Sequence, residues 1–374
     1  MTDCWTITGA EVLKPGGFVT APLHVANGRI AETPENRGPV LDADGAWVLP
    51  GIVDLHGDGF EAIVQPRPGV HFPYHLAFAE ADAQMIANGI TTAYHALTVS
   101  WESGLRDIAV SRALVSALRQ ATPNLSCDTR LNIRWETFAL DHVDEVISWL
   151  TERPGDILSI NDHTTANHHL GEDSAKLKRM AARMGLSPIG AKQEIARVWA
   201  RRDEVPGATD EICCRAFALG RPVLSHDDAT PNDRRAGRAR HATVAEFPTT
   251  AAAAREARDA GEHVVLGAPN ALRGESHNGA LCATQAIGNG LCTVLASDYY
   301  YPAPLHAVFR LHDAGVLPLE QGWPLVSANP AAAVSLHDRG TLDPGQRADL
   351  LVVDRKTRKI RAVFVKGRKV LDRD

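Results

Sequence analysis

Short apolar runs, each closing on polar residues, recur through the middle of the chain at 51–56, 90–95, 130–136, 156–163, 222–226, 244–247, 263–267 and 293–298. Runs this short suit strands buried on both faces and are too brief for core helices. Between them the apolar spacing lengthens to three and four. It predicts helices over 75–88, closed by Gly89, over 105–120, and over 250–260, closed by Gly261. Eight strands alternating with helices predict an α/β fold, a (β/α)8 TIM barrel, with a doubly wound sheet as the competing arrangement.

The two ends of the chain carry a different pattern. Residues 5–12 alternate loosely, 14–17 form a turn, and Asn27-Gly28 inside the 23–30 run is a strong hairpin signal. Strand-like runs return at 348–354 and 362–370. Such ribbons cannot bury themselves alone, so residues 1–48 and 340–374 are expected to pair into a small β-sandwich domain, leaving 49–339 as the barrel. Residues 164–206 break the strand–helix rhythm. With charged helical stretches around 176–184 and 192–202, they are read as an insertion, either a lid or a homo-oligomer contact.

Composition narrows the functional classes. With 374 residues the chain is long enough for a barrel of about 250 residues plus an accessory unit. Hydrophobic residues at 44% and charged residues at 22% are the balance of a globular protein. A net charge of −6 argues against nucleic acid or membrane surface as partner, without excluding a small anionic substrate held by local charge. No apolar run reaches the roughly 18 residues of a membrane span. The opening residues lack the basic stretch and apolar core of a secretory signal. The six cysteines include no C-x-x-C pair and nothing like zinc-ribbon spacing. A cytoplasmic protein with reduced thiols is expected.

In a barrel of this kind the reactive groups stand at the C-terminal ends of the strands. The polar residues ending the apolar runs are His56 with Asp58, Glu136, His163, His226 with Asp227 and Asp228, and Asp298. Imidazoles and carboxylates converging from different strands suit one or two divalent metal ions, zinc foremost, with manganese or iron also compatible. Such an ion brings the pKa of bound water to about 7, and an aspartate on the last strand is placed to move the proton. A lone histidine at a strand end is more often structural than a ligand. Several such groups on different strand ends favour the metal reading. Asp227 and Asp228 are candidates for orienting His226.

The run 48–56 resembles the opening of the amidohydrolase superfamily, and 340–353 is similar to its closing signature. More specific are 225–230, 245–250, 267–270 with 273–277, and 297–300, together with 65–68 and 89–92. These resemble the phosphonate-metabolism M protein family, the diphosphatases acting on ribose 1-methylphosphonate 5-triphosphate. The resemblance spans nearly the whole chain. It implies a sugar triphosphate as substrate, release of pyrophosphate and attack by metal-bound hydroxide. It also implies His56, Asp58, Glu136, His163 and His226 as metal ligands, with Asp298 handling the proton while touching one ion. His56-Gly-Asp58 departs from the His-x-His of the wider superfamily, which leaves one or two metals open. No strand-end lysine is available for a carbamate bridge, so Glu136 is the bridging candidate. His168 and His169 are substitutes for His163.

A triphosphate needs local cations, and arginine donates two parallel hydrogen bonds to phosphate. Arg67 after the first strand, Arg273 with His277 after the seventh, and Arg134, two residues before Glu136, are the candidates. Asn270 and Tyr299 join them as pocket residues. Residues 233–240 carry four arginines, to be weighed between a solvated face and a phosphate or partner site. Two rivals stand beside the diphosphatase: an amidohydrolase acting on carbon, such as a deaminase or N-acyl hydrolase, and a non-catalytic barrel scaffold.

Overall fold

A computed structural model describes residues 4–34, 38–67, 69–274 and 281–373. Eight parallel strands follow one another in both sequence and space: Ile52–Gly57, Ile90–Val99, Asp128–Glu136, Ile157–Asn161, Val223–His226, Ala242–Glu246, His263–Gly267 and Val294–Ala296. A parallel bridge between Gly57 and Asp298 joins the last strand's end to the first, so the sheet is a nearly closed barrel. All eight expected runs are strands. The fourth is shorter than its apolar pattern because Asp162 caps a helical turn, His163–Asn167, by accepting from the Thr165 amide at 2.9 Å.

The helices follow the same logic. Tyr74–Ala87 ends where Gly89 takes a φ of +81°. Here glycine is needed twice over, since a Cβ would also lie 2.6 Å from Leu351 Cδ1. Ile108–Ala121 starts three residues later than the apolar spacing suggests, because Asp107 accepts from the Ala109 amide at 2.7 Å and fixes the first turn there. Ala251–Asp259 is capped by Thr250.

Strand alternation splits the barrel's apolar residues into two layers. Ile52, Ile133 and Leu295 pack outward against helical residues such as Met85, Leu118 and Val308. Val53, Leu55, Leu224, Val244, Val265 and Val294 fill the interior, closed below by Ala331 and Val334. His56 shares the parity of outward-facing Ile52, yet its ring meets Glu246 of the sixth strand. A register irregularity between Asp54 and Gly57 accompanies that change of direction.

The terminal segments form two further sheets. Arg29–Ala31, Leu23–Ala26, Trp5–Thr8 and Val40–Asp42 make one. The other runs Arg368–Asp372, Ile360–Val365, Leu350–Asp354, Ala46–Pro50, Glu11–Lys14 and Gly17–Thr20. The Asn27-Gly28 hairpin forms, both residues at positive φ. Leu350–Asp354 pairs antiparallel with Ala46–Pro50, bringing the two ends of the chain together.

In the insertion, Ala175–Met184 and Pro188–Trp199 share a core of Leu177, Met180, Met184 and Ile195 with Trp101. It is docked on the loop after the second strand through Arg183 and Glu102, 2.6 Å apart, and through the Ser103 hydroxyl, which donates to the Met184 carbonyl. No helix among the described residues is long and apolar enough to cross a membrane.

His95, on the second strand, is buried between Phe60 and Phe78. Burial holds its imidazole down to about 4, so it folds neutral. In the unfolded chain it takes up a proton near pH 6.5. The stability it contributes is present above that pH and is lost as pH falls from 6.5 towards 4, by roughly 3 kcal/mol. Denaturant titrations at pH 7 and pH 4.5 are expected to show a smaller acid loss in His95→Gln than in wild type; an equal loss would assign the acid sensitivity elsewhere.

Candidate metal centre

Strand ends deliver the polar groups to one mouth. His56 ends the first strand and Asp58 follows it, His226 ends the fifth, Glu246 the sixth, and Asp298 follows the eighth. They line or lie beneath a cavity of about 300 Å3, whose wall also carries Arg134, Phe247, Arg273 and Tyr299. Two backbone bonds fix the rim: the Asp298 amide donates to the His56 carbonyl at 2.8 Å, and the Asp58 amide to the Asp298 carbonyl at 2.9 Å. Asp227, Phe247 and Asp298 have φ of 61°, 51° and 56°, a left-handed backbone uncommon for side chains of this kind. Three strand ends thus turn sharply around the cavity they line, the usual place for stored backbone strain.

Nitrogen and oxygen donors gather here in three groups whose ligand atoms lie within 4.8 Å of one another: His56, Asp58 and Asp298; His163, His226 and Asp227; and His56, His226 and Glu246. Imidazole and carboxylate are ordinary ligands of divalent ions, and the donor set fits one. His226 Nδ1 is buried, with Asp227 Oδ2 3.2 Å away.

The charges around these groups are strongly coupled. Burial would hold the His56 imidazole down, but Glu246 Oε1, 2.7 Å from Nδ1, raises it above its ordinary value. Burial opposes ionisation of Glu246 in turn, yet His56 draws it down to about 2. Asn132 and the Ser159 hydroxyl donate to the same carboxylate. For His226, burial wins and lowers the ring. His163 is pushed up to about 9, because Asp227 and Glu136 outweigh its burial. Burial, reinforced by the neighbouring charge of Asp58, raises Asp298 to about 6.

Several expected roles are relocated. Glu136 belongs to no donor group among the described residues. One oxygen accepts from the His163 and Thr164 amides and the Thr164 hydroxyl, and the other meets His163 Nδ1 at 3.0 Å. The carboxylate holds His163 from behind, and both of its oxygens have protein partners. Glu246, at the end of a strand run that the pattern identified, occupies the central position instead. The strand-end rule that selected Glu136 would have selected Glu246 too. Asp227 approaches His226, as expected. Asp228 does not; its oxygens are taken by Ser225 and by Arg234 at 2.9 Å.

The phosphate candidates also separate. Arg134 is buried in the mouth and Arg273 lines it from the helix Ala268–Arg273. Tyr299 stands at the rim, 58% exposed. Asn270 lines the cavity, but its amide is spent on the Leu281 carbonyl and the Ala283 amide, so it braces the wall. Arg67 is exposed in a small turn pairing with Val70 and is not part of the lining. His277 lies outside the described residues. His168 stacks on Trp199 at 3.7 Å and belongs to no donor group among the described residues. The arginine-rich segment is a helix, Pro231–Ala239, whose cations meet protein carboxylates. Arg234 is fully buried against Asp228 and Glu262, Arg235 meets Glu256, Arg238 meets Glu256 and Glu262, and Arg240 meets Asp210. Each of the four guanidiniums thus meets a protein carboxylate.

No protein-family model matches the chain. Among curated proteins it is 30% identical to the alpha-D-ribose 1-methylphosphonate 5-triphosphate diphosphatase of Escherichia coli (strain K12), over 97% of this chain and 99% of that one. Among solved structures, an amidohydrolase from an environmental sample of the Sargasso Sea superposes with a TM-score of 0.69 at 14% identity, covering 99% of this chain and 93% of the other. Molinate hydrolase gives 0.65 at 14% identity, covering 99% and 95%. An adenosine deaminase from Xanthomonas campestris with bound zinc gives 0.63 at 12%, covering 99% and 93%. The structural likenesses establish the fold, and the full-length sequence likeness goes further: the chain is a hydrolase belonging to the phosphonate-metabolism M protein family of the amidohydrolase superfamily.

Proposed function

We propose that the protein hydrolyses the α–β phosphoanhydride of α-D-ribose 1-methylphosphonate 5-triphosphate to the 5-phosphate and pyrophosphate, a step of phosphonate breakdown. The observation carrying this reading is one cavity that combines metal-donor groups with the guanidinium-bearing residues Arg134 and Arg273. A neutral base or amide substrate does not call for such cations, whereas a triphosphate does. The full-length relative is named for this diphosphatase reaction.

In this reading the divalent ion is held by His56, Asp58 and Asp298, with His163, His226 and Asp227 as the adjoining donor group. Zinc is the ion we favour, for its affinity to nitrogen and oxygen donors and because the Xanthomonas campestris neighbour carries it. The bound ion supplies Lewis acidity and a water of lowered pKa. Asp298 accepts the proton of the attacking water, its carboxylate held at the mouth by the backbone bonds to His56 and Asp58. Arg273 binds the outer phosphates. Glu246 fixes the tautomer of His56 by accepting from Nδ1, leaving Nε2 as the free ligand atom. The terminal sheets, with a shared core of Ile7, Val25, Val48, Val352 and Phe364, are read as a small β-sandwich domain of residues 1–48 and 340–374 on a barrel of 49–339.

Incubation of the metal-loaded enzyme with the sugar triphosphate is expected to release pyrophosphate in step with the 5-phosphate. Release of orthophosphate instead, or turnover confined to amide and amino substrates with ammonia as product, would overturn the assignment. Arg273→Ala is expected to raise KM for the triphosphate roughly ten- to hundredfold, the value of a charge-assisted hydrogen bond, and to change KM for a monophosphate analogue much less. Glu246→Gln is expected to weaken metal binding by about ten- to hundredfold in competition with a chelator, as loss of a ligand-orienting carboxylate does. Unchanged affinity would remove Glu246 from that role.

A further inference from the structure

His56 and His226 face each other across the mouth, ring centroids 5.6 Å apart, yet their partners assign their protons in opposite ways. On His56 the carboxylate of Glu246 accepts from Nδ1–H at 2.7 Å, so Nε2 keeps a free lone pair. On His226 the group facing Nε2, at 3.3 Å, is Nη2 of Arg134. A guanidinium has donors and no acceptor. His226 Nε2 must therefore be the acceptor, and the proton of the neutral ring sits on Nδ1, towards Asp227 Oδ2 at 3.2 Å. Neither nitrogen of His226 then has a lone pair to give to a cation.

Arg134 is built into this position. It is 5% exposed, its Nη2 also reaches Asn161 Oδ1 at 3.4 Å, and its Nη1 lies 4.0 Å from Asp58 Oδ2. It comes from the third strand, whose register with the fourth sets Arg134 beside Ser159 and Glu136 beside Asn161. The guanidinium thus stands between the donor group of His56, Asp58 and Asp298 and that of His163, His226 and Asp227. A fixed positive charge there repels a second dication, and its hydrogen bond removes the ligand that ion would need.

We propose that Arg134 takes the place of a second metal ion: the centre holds one divalent cation, on His56, Asp58 and Asp298, and His226 serves as a neutral hydrogen-bonding group rather than a ligand. This rests on the metal-dependent reading above and narrows it, leaving the outer-phosphate role of Arg273 unchanged. His163, held by Glu136 from behind, then presents Nε2 to Asp227 and not to metal.

The test is metal stoichiometry without substrate. Apo-protein is dialysed against buffered Zn2+, and in parallel Mn2+, and bound metal per chain is measured by elemental analysis. One ion per chain is expected for wild type and for His226→Asn. Asp58→Asn is expected to fall well below one. Arg134→Met, which removes the charge and the donor, is expected to admit a second ion, whereas Arg134→Lys holds the count at one. Two ions in wild type, loss of the ion in His226→Asn, or a soluble, folded Arg134→Met that still binds one ion would each overturn the proposal. Should Arg134→Met fail to fold, the wild-type and His226→Asn counts decide by themselves. Absence of pyrophosphate release would count against the diphosphatase reading and leave these counts untouched.

Discussion

The meeting of the last barrel strand with the first is the constraint on which the centre depends. His56 and Asp298 are far apart in sequence, and only ring closure makes them neighbours. The rim bonds between the Asp298 amide and the His56 carbonyl, and between the Asp58 amide and the Asp298 carbonyl, are part of that closure. Beneath them Asp54 accepts from the Ser297 amide at 2.9 Å and pins the same seam from the side. Barrel and donor group are therefore one construction: loosening the seam would separate the donor side chains as it opened the sheet.

The centre is also a managed excess of charge. Carboxylates at Asp58, Asp227, Glu246 and Asp298 crowd one mouth, and they are compensated unequally. Glu246 is matched by His56, Asp227 by the two histidines beside it, and Glu136 by His163 together with backbone amides. Asp58 and Asp298 are matched least within the chain, and the Asp298 carboxyl is raised by burial and by that neighbour. The pair least compensated by protein is where a divalent ion has most to neutralise.

Much of this was legible in the sequence. The eight apolar runs, alternating with helical spacing, point to a buried parallel sheet, and the polar residues ending them include His56, Asp58, His226 and Asp298. What misled was the assumption that every polar strand end faces the same way. Glu136 ends its strand like the others, yet the helical turn opening at His163 wraps its carboxylate. No periodicity reveals which carboxylate a neighbouring loop will consume. Glu246 was overlooked because its run was read as structure alone. The arginine-rich segment stays undecided in the sequence for a related reason. Its partners, Asp210, Glu256 and Glu262, lie on elements before and after it, and only tertiary packing shows that the cations are already matched.

The turned-back backbone at Asp227, Phe247 and Asp298 ties chemistry to shape. A left-handed residue at the tip of a strand tolerates aspartate or asparagine far better than a β-branched side chain. Replacing such a residue therefore alters two things together, the group offered to the cavity and the path of the loop that leaves it. Remodelling this mouth for another substrate would have to spare those hinge positions and work on the side chains between them, where Arg273 and Tyr299 stand on ordinary backbone.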